Sequence, residues 1–399
     1  MVAPVNRRTA AALTIALSLL WLTLGYANVA RGAAHAGAGY RFWAFQHHCY
    51  SDVIALHGDR YLGGSRPLPY LQDRIEYPVL LGIALWLPSF APGGPSSALA
   101  HFTATYLLLA AALGVALWAL FRTAGAAPWW LGATPALVYY APLNWDLLPI
   151  ALLAVAACAL QRGRPATSGA AAALGISAKL FPATLVPPAV ALLAAHPRRG
   201  ALLRFGLALA VVLLAVNLPF ALTAFDAWSW FFRFNAGRGA ENSLWDALHV
   251  PPGPLLEALS AGPLILAAAV GAFAASRAAR HAQGQPENAA RAARLATALA
   301  LVVWIATNKI WSPQYALYGF LAGALAAAPR PLFVVLSAMS ALDFHLAFEV
   351  RARSWEPAFR DGVWHPANVV RALLWLVLAA WVARELWRAA RATPAAARQ

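Results

Sequence analysis

The sequence predicts an all-α polytopic membrane protein, and two observations carry that reading. Hydrophobic residues make up 61% of the 399-residue chain and charged residues only 11%, against roughly 25% charged in soluble domains. With a mean hydropathy of +0.60, the chain cannot cover itself with polar groups in water, so a bilayer is its natural solvent. The apolar residues also come in runs divided by short arginine-bearing turns, which leave no room for a soluble domain of useful size. The whole length, 1-399, therefore reads as a single transmembrane domain.

A helix rises about 1.5 Å per residue, so about 20 residues cross a hydrocarbon core of about 30 Å. On that measure the chain holds a bundle of about 12 transmembrane helices, at residues 9-30, 98-121, 127-143, 146-161, 167-180, 181-196, 201-222, 253-275, 293-310, 313-328, 331-349 and 366-388. Several are short, and 167-180 with 181-196 also reads as one broken or re-entrant unit. The first run follows Arg7 and Arg8 and is long enough to span. It reads as a signal anchor, with cleavage near Ala30 to Ala34 as the lesser alternative.

Orientation follows from arginine. With the N-terminus inside, the inner loops hold Arg122, Arg162 and Arg164, Arg198 and Arg199, Arg277 to Arg294, Arg330, and Arg384 to Arg398, as the positive-inside rule demands. The tail at about 389-399 is then cytoplasmic, and the expected location is a bacterial plasma membrane. Of fifteen carboxylates only Glu287 and Glu385 fall clearly inside, so acid chemistry is available on the outer face alone. The long first extracytoplasmic loop, about 31-97, contains a further apolar stretch, Tyr77 to Ala91. Counting it as a span would turn Arg122, Arg162 and Arg164 outward. It reads instead as a surface helix bounded by Pro78 and Pro88, with a true span as the alternative.

The net charge of +15 does not indicate a nucleic-acid partner, because the basic residues are dispersed between apolar runs rather than gathered in one patch. The two cysteines, Cys49 in a loop and Cys158 in an apolar run, suit neither a disulfide nor a zinc site. His47, His48, Asp52 and His57 match no defensible metal spacing, so the expectation is no metal and no cofactor, with no divalent cation assigned.

Ionisable groups at membrane depth are costly and mark sites by default. Among thirty basic residues only two are lysines, Lys179 in Ser177-Ala178-Lys179-Leu180-Phe181-Pro182 and Lys309 in Asn308-Lys309-Ile310-Trp311-Ser312-Pro313-Gln314-Tyr315. Both fall near the outer ends of proline-broken helices, where a compact ammonium suits a phosphate; snorkelling to interfacial water is the plainer alternative. The first loop supplies Asp52, Asp59, Asp73 and Glu76 as candidate general bases, unless they are solvated or paired with Arg60, Arg66 and Arg74. Asp146, in Asn144-Trp145-Asp146 between two apolar runs, is either a helix N-cap or a group that orients a hydroxyl or supports a cation. Trp228, Trp230, Phe231, Phe232, Phe234 and Trp245 read first as an interfacial belt, and second as a sugar platform or lipid groove.

Taken in order, four segments resemble glycosyltransferase family 87 and related polyprenol-phosphate-dependent mannosyltransferases of the GT-C superfamily: Asp52 followed by Glu76-Tyr77-Pro78; Asn144-Trp145-Asp146; Ala178-Lys179-Leu180-Phe181-Pro182; and Asn308-Lys309 with Ser312-Pro313-Gln314-Tyr315. The resemblance covers most of residues 9 to 325. It implies a GT-C-like bundle and an inverting sugar transfer on the outer face. The donor would be a polyprenyl-phosphate sugar, mannose first, and the acceptor a glycolipid or growing glycan among membrane lipid. It also implies that Asp52 is the base, and that Glu76, Tyr77, Asn144, Asp146, Lys179, Asn308, Lys309 and Gln314 bind substrate. The competing expectation is a multi-pass transporter or lipid flippase, which broken helices and intramembrane charge also suit; a non-catalytic scaffold is a third.

Overall fold

A computed structural model describes residues 6–60, 65–94, 96–195, 199–281 and 286–391. The described chain is all-α, and seven of its helices are long and apolar enough to cross a membrane. Among the described residues, extended pairing is limited to two isolated bridges.

Helix α1 (Arg7–Ala30) leads into the first loop, which is folded rather than slack. It carries α2 (Tyr40–Gln46), α3 (Asp52–Arg60) and α4 (Val79–Trp86) before α5 (Ala98–Phe121) returns through the bundle. Helix α4 and the turn after it cover Val79–Phe90, shorter than the about 20 residues a span requires. Most of α4 is buried, and it packs on helices of the bundle. The expected surface helix is therefore found as a helix, with Val79, Leu81, Ala84 and Leu85 buried and Leu87 and Phe90 just beyond it exposed.

The run 127-143 is broken where Pro128 and Pro135 each begin a new turn, giving α6 (Trp129–Gly132) and α7 (Ala136–Tyr140). Next come α8 (Leu147–Gln161) and α9 (Pro165–Ala178). Helix α9 stops because Lys179 takes an extended conformation and Pro182 follows, so the chain restarts through a 3-10 turn into α10 (Val186–Ala194). The two form one broken unit. Helix α11 (Arg199–Thr223) is succeeded by α12 (Phe225–Ala236) and the short α13 (Leu244–Ala247). Helices α14 (Pro254–His281) and α15 (Pro286–Thr307) pack on each other along their length, and α15 also packs on α16 (Ala316–Ala326). The last elements are α17 (Arg330–Ala352), a single turn α18 (Pro357–Phe359) and α19 (His365–Arg391).

Five of the twelve ranges expected to span thus fall on shorter elements: 127-143, 146-161, 167-180, 181-196 and 313-328. Hydropathy cannot separate a lipid-facing helix from one sheathed by protein. Helix α16 is apolar because every one of its residues is buried, and protein cover lets a short helix sit at membrane depth. Burial also orders the bundle. The apolar window of α15 is 78% buried, whereas that of α11 is 6% buried, which makes α15 the centre and α11 the rim.

Arginine-bearing turns gather at one end. Gln161 donates to the Ala124 carbonyl (3.0 Å), Arg291 pairs with Glu385 (3.2 Å), and the Arg294 guanidinium lies against Gly125. Asn308 and Lys309 follow the C-terminus of α15, so that helix separates them from Arg291 by about 25 Å. Arg198 and the tail beyond Arg391 lie outside the described residues.

Candidate active site

Asp52 opens α3, and its backbone N–H donates to the Leu143 carbonyl (2.9 Å), tying the first loop to the turn before α8. Its carboxylate is held by neutral groups: the Tyr50 hydroxyl donates to Oδ1 (2.8 Å) and the Asn144 amide to Oδ2 (2.7 Å). The Asn144 amide also reaches the Tyr77 hydroxyl (3.2 Å). Burial raises the carboxyl's pKa, while the hydrogen bonds from Tyr50 and Asn144 and the charge of Lys179 pull the other way. The result is a carboxylate with unspent lone pairs on a cavity wall, which is what a general base needs.

The other loop carboxylates behave differently. Asp59 pairs with Arg41 (2.5 Å), Asp73 with Arg60, and Glu76 with Arg60 (3.1 Å). Pairing with arginine is thus the structural role of all three, although Glu76 still faces the cavity. The histidines do not converge with Asp52. His57 meets the Gly94 carbonyl (2.9 Å), His47 the Trp43 carbonyl of its own helix (2.7 Å), and His48 meets His345 (2.7 Å).

Lys179 stands at the break between α9 and the following turn, and its ammonium forms an ion pair with Asp146. Asp146 occupies the N-cap position of α8 but makes no side-chain cap bond. Its side chain is fully buried behind Lys179 and does not reach the cavity wall. Of the two roles open to it, it takes support of a cation, and it is not placed to touch a ligand directly. The ammonium lies 5.9 Å from the Tyr77 ring and 5.6 Å from the Tyr315 ring. Neither lysine snorkels: their side chains are 14% and 9% exposed.

Lys309 is held from both directions. Its backbone N–H donates to Ser260 Oγ (2.9 Å) and its ammonium pairs with Glu257 of α14 (2.5 Å). The segment is extended and pairs with the loop after α12: Glu241 N–H donates to the Lys309 carbonyl (2.9 Å), and Trp311 N–H to the Glu241 carbonyl (2.8 Å). The Trp311 indole donates to Asp343 (3.0 Å), which also pairs with Arg371, and that guanidinium lies 4.2 Å from the Trp311 ring. This buried ion pair clamps the segment to α17 and α19. Asn308 accepts from Ser260 (3.4 Å) and Gln314 from Ser312 (2.8 Å).

These groups enclose one cavity of about 770 Å³, on which Asp52, Glu76, Tyr77, Asn144, Lys179, Asn308, Lys309 and Gln314 all lie. The cavity also has an apolar wall, built from α12 (Phe231, Phe232, Phe234), α10 (Pro187) and α14 (Leu264, Ile265, Ala268). That wall runs out to the molecular surface, where Ile265 is 67% and Phe232 45% exposed. The aromatic loop therefore divides: Phe231, Phe232 and Phe234 line the cavity, and Trp245 instead donates to the Thr307 carbonyl (2.6 Å).

Two cavity cations carried no mark in the sequence. Arg238 pairs with Glu241, and Arg351, in the last turn of α17, faces the cavity. Each is one arginine among many, and only the tertiary fold sets it apart. No model of a known protein family matches the chain, and no curated protein matches it.

Proposed function

We propose that the protein is a membrane glycosyltransferase that moves a sugar, mannose first, from a polyprenyl-phosphate donor to a lipid-linked or cell-envelope glycan acceptor at the outer membrane face, with inversion. One observation carries the reading: a single cavity lined by a neutral-held carboxylate, two lysines and a greasy wall that is open to the molecular surface. Such a site matches an amphiphile with a phosphate head and an isoprenoid tail.

On this reading Asp52 takes the proton of the acceptor hydroxyl as its oxygen bonds to the anomeric carbon. The carbon–oxygen bond to phosphate breaks, and its electron pair stays on the phosphate. Lys179 and Lys309 offset the negative charge that grows there, a term that is large where water is scarce. Asn144 and Tyr77 fix the carboxylate's direction, and the folded first loop keeps water from the donor. A transporter or flippase calls for its site near the bilayer midplane, whereas the cavity's Asn308 and Lys309 lie just past the C-terminal end of α15.

The test is radiolabelled polyprenyl-phosphate-mannose added to membranes with and without the protein. Label is expected to enter a lipid-linked or envelope glycan only when the wild-type chain is present. No transfer with the wild type, under conditions in which the chain is folded and inserted, overturns the proposal.

A further inference from the structure

Three of the cavity's basic groups have carboxylate partners: Lys179 has Asp146, Lys309 has Glu257 and Arg238 has Glu241. Arg351 has none among the described residues. Its Nη1 donates to the Ala347 carbonyl of its own helix (2.5 Å), and its guanidinium carbon lies 5.2 Å from the Trp355 ring and 5.9 Å from the Phe45 ring. The carboxylates on neighbouring elements are already engaged. Asp343 holds Arg371 and Trp311, Glu349 holds Arg353 (2.7 Å), and Glu241 holds Arg238. Asp52 is held by Tyr50 and Asn144.

Arg351 also makes contacts that Lys309 and Arg238 do not. Lys309 and Arg238 border the apolar wall, with the ammonium 3.5 Å from the Ala236 carbonyl and the guanidinium carbon 5.5 Å from the Phe234 ring. Arg351 lies on the flank of Asp52: its neighbour Phe45 packs on Tyr50 (4.7 Å between rings), whose hydroxyl donates to Asp52. A half-enclosed guanidinium with no carboxylate at ion-pair distance costs free energy that a bound anion recovers. Its planar fork fits the paired oxygens of a phosphate or carboxylate.

We infer that Arg351 binds an oxyanion, a phosphodiester or a carboxylate, carried by the second substrate close to the hydroxyl that Asp52 faces. The inference rests on the transferase reading for the word acceptor; the anion site itself rests on Arg351 and its surroundings. The cavity then has two anionic ligands at two places, the donor phosphate beside the greasy wall and the acceptor's charge beside the base.

The test is calorimetric titration of the full chain in phosphatidylcholine nanodiscs with glycerophosphoinositol, with glucuronate and with uncharged inositol, alongside a separate titration with polyprenyl phosphate. One of the two anions is expected to bind, which distinguishes a phosphodiester from a carboxylate. Arg351→Gln is expected to weaken that anion about tenfold or more, the loss of a charge-assisted hydrogen bond, with Arg351→Lys falling between and polyprenyl phosphate unchanged. Trp355→Leu removes the ring behind the guanidinium but keeps the charge; it should give a milder loss and serves if Arg351→Gln does not fold. Three results overturn the inference: neither anion binds better than inositol, the Arg351 and Trp355 variants bind as the wild type does, or polyprenyl phosphate weakens in the same proportion. Arg351-dependent anion binding without any label transfer by the wild type would overturn only the transferase proposal.

Discussion

The side-chain amide of Asn144 lies 2.7 Å from Oδ2 of Asp52, across 92 positions of chain, and the same nitrogen lies 3.2 Å from the Tyr77 hydroxyl. A turn between two buried helices thereby aims a carboxylate that belongs to the first loop. The aim survives only if the loop, α8 and the segment before α4 keep their mutual positions.

Asp52→Asn keeps the shape and both neutral neighbours but cannot take a proton. Sugar transfer in membranes is expected to fall by roughly a hundredfold or more, the usual share of a general base, with expression and thermal stability retained. Near-normal turnover would remove Asp52 from the role and leave Glu76 as the one other carboxylate of the first loop on the cavity wall.

The pH profile follows from the same carboxyl. A base works when deprotonated, so activity is lost as pH falls through its pKa. Burial raises that pKa, so the acid limb should lie above the ordinary aspartate value of about 3.9. The Asn144 hydrogen bond favours the charged form. Asn144→Ala should therefore move the acid limb of kcat/KM further upward as well as lowering the plateau. An unmoved limb would show that Asp52 is not the titrating group.

Lys179 and Asp146 form a buried pair, and removing one member strands the other. Lys179→Ala is expected to destabilise the protein by about 3–5 kcal/mol, read as a drop in thermal midpoint. The double change Lys179→Met with Asp146→Leu should restore most of that stability while transfer stays lost. Recovery of transfer in the double variant would confine Lys179 to a structural role.

Lys309 borders the greasy wall, where the donor phosphate is placed. Lys309→Ala should raise the donor KM about tenfold or more, the scale of a lost charge-assisted contact, and leave the acceptor KM within about twofold. Equal losses for both substrates would argue against phosphate contact.

Much of this site was legible in the sequence because its residues are rare or awkward there. Two lysines in an arginine-using chain, each beside a proline, mark helix breaks, and Lys179 does end α9. Asp52 was one of four candidate carboxylates; sequence could not show that Arg41 and Arg60 neutralise the other three. Arg238, Arg351 and Tyr50 were invisible, since nothing local separates a cavity arginine from a surface one. Seven of the twelve expected runs form helices long and apolar enough to span, and the other five fall on shorter elements for a similar reason. Apolar runs such as 316–326 are greasy because protein covers them, and composition records the grease without naming the neighbour.

The pairing of Lys179, Lys309 and Arg238 with carboxylates bears on the end of the catalytic cycle. Under the proposed reaction the departing polyprenyl phosphate meets ammonium and guanidinium groups that already have negative companions. Its grip on the protein is therefore weaker than unpaired cations would give. Turnover can then close with the spent lipid slipping back along the phenylalanines of α12.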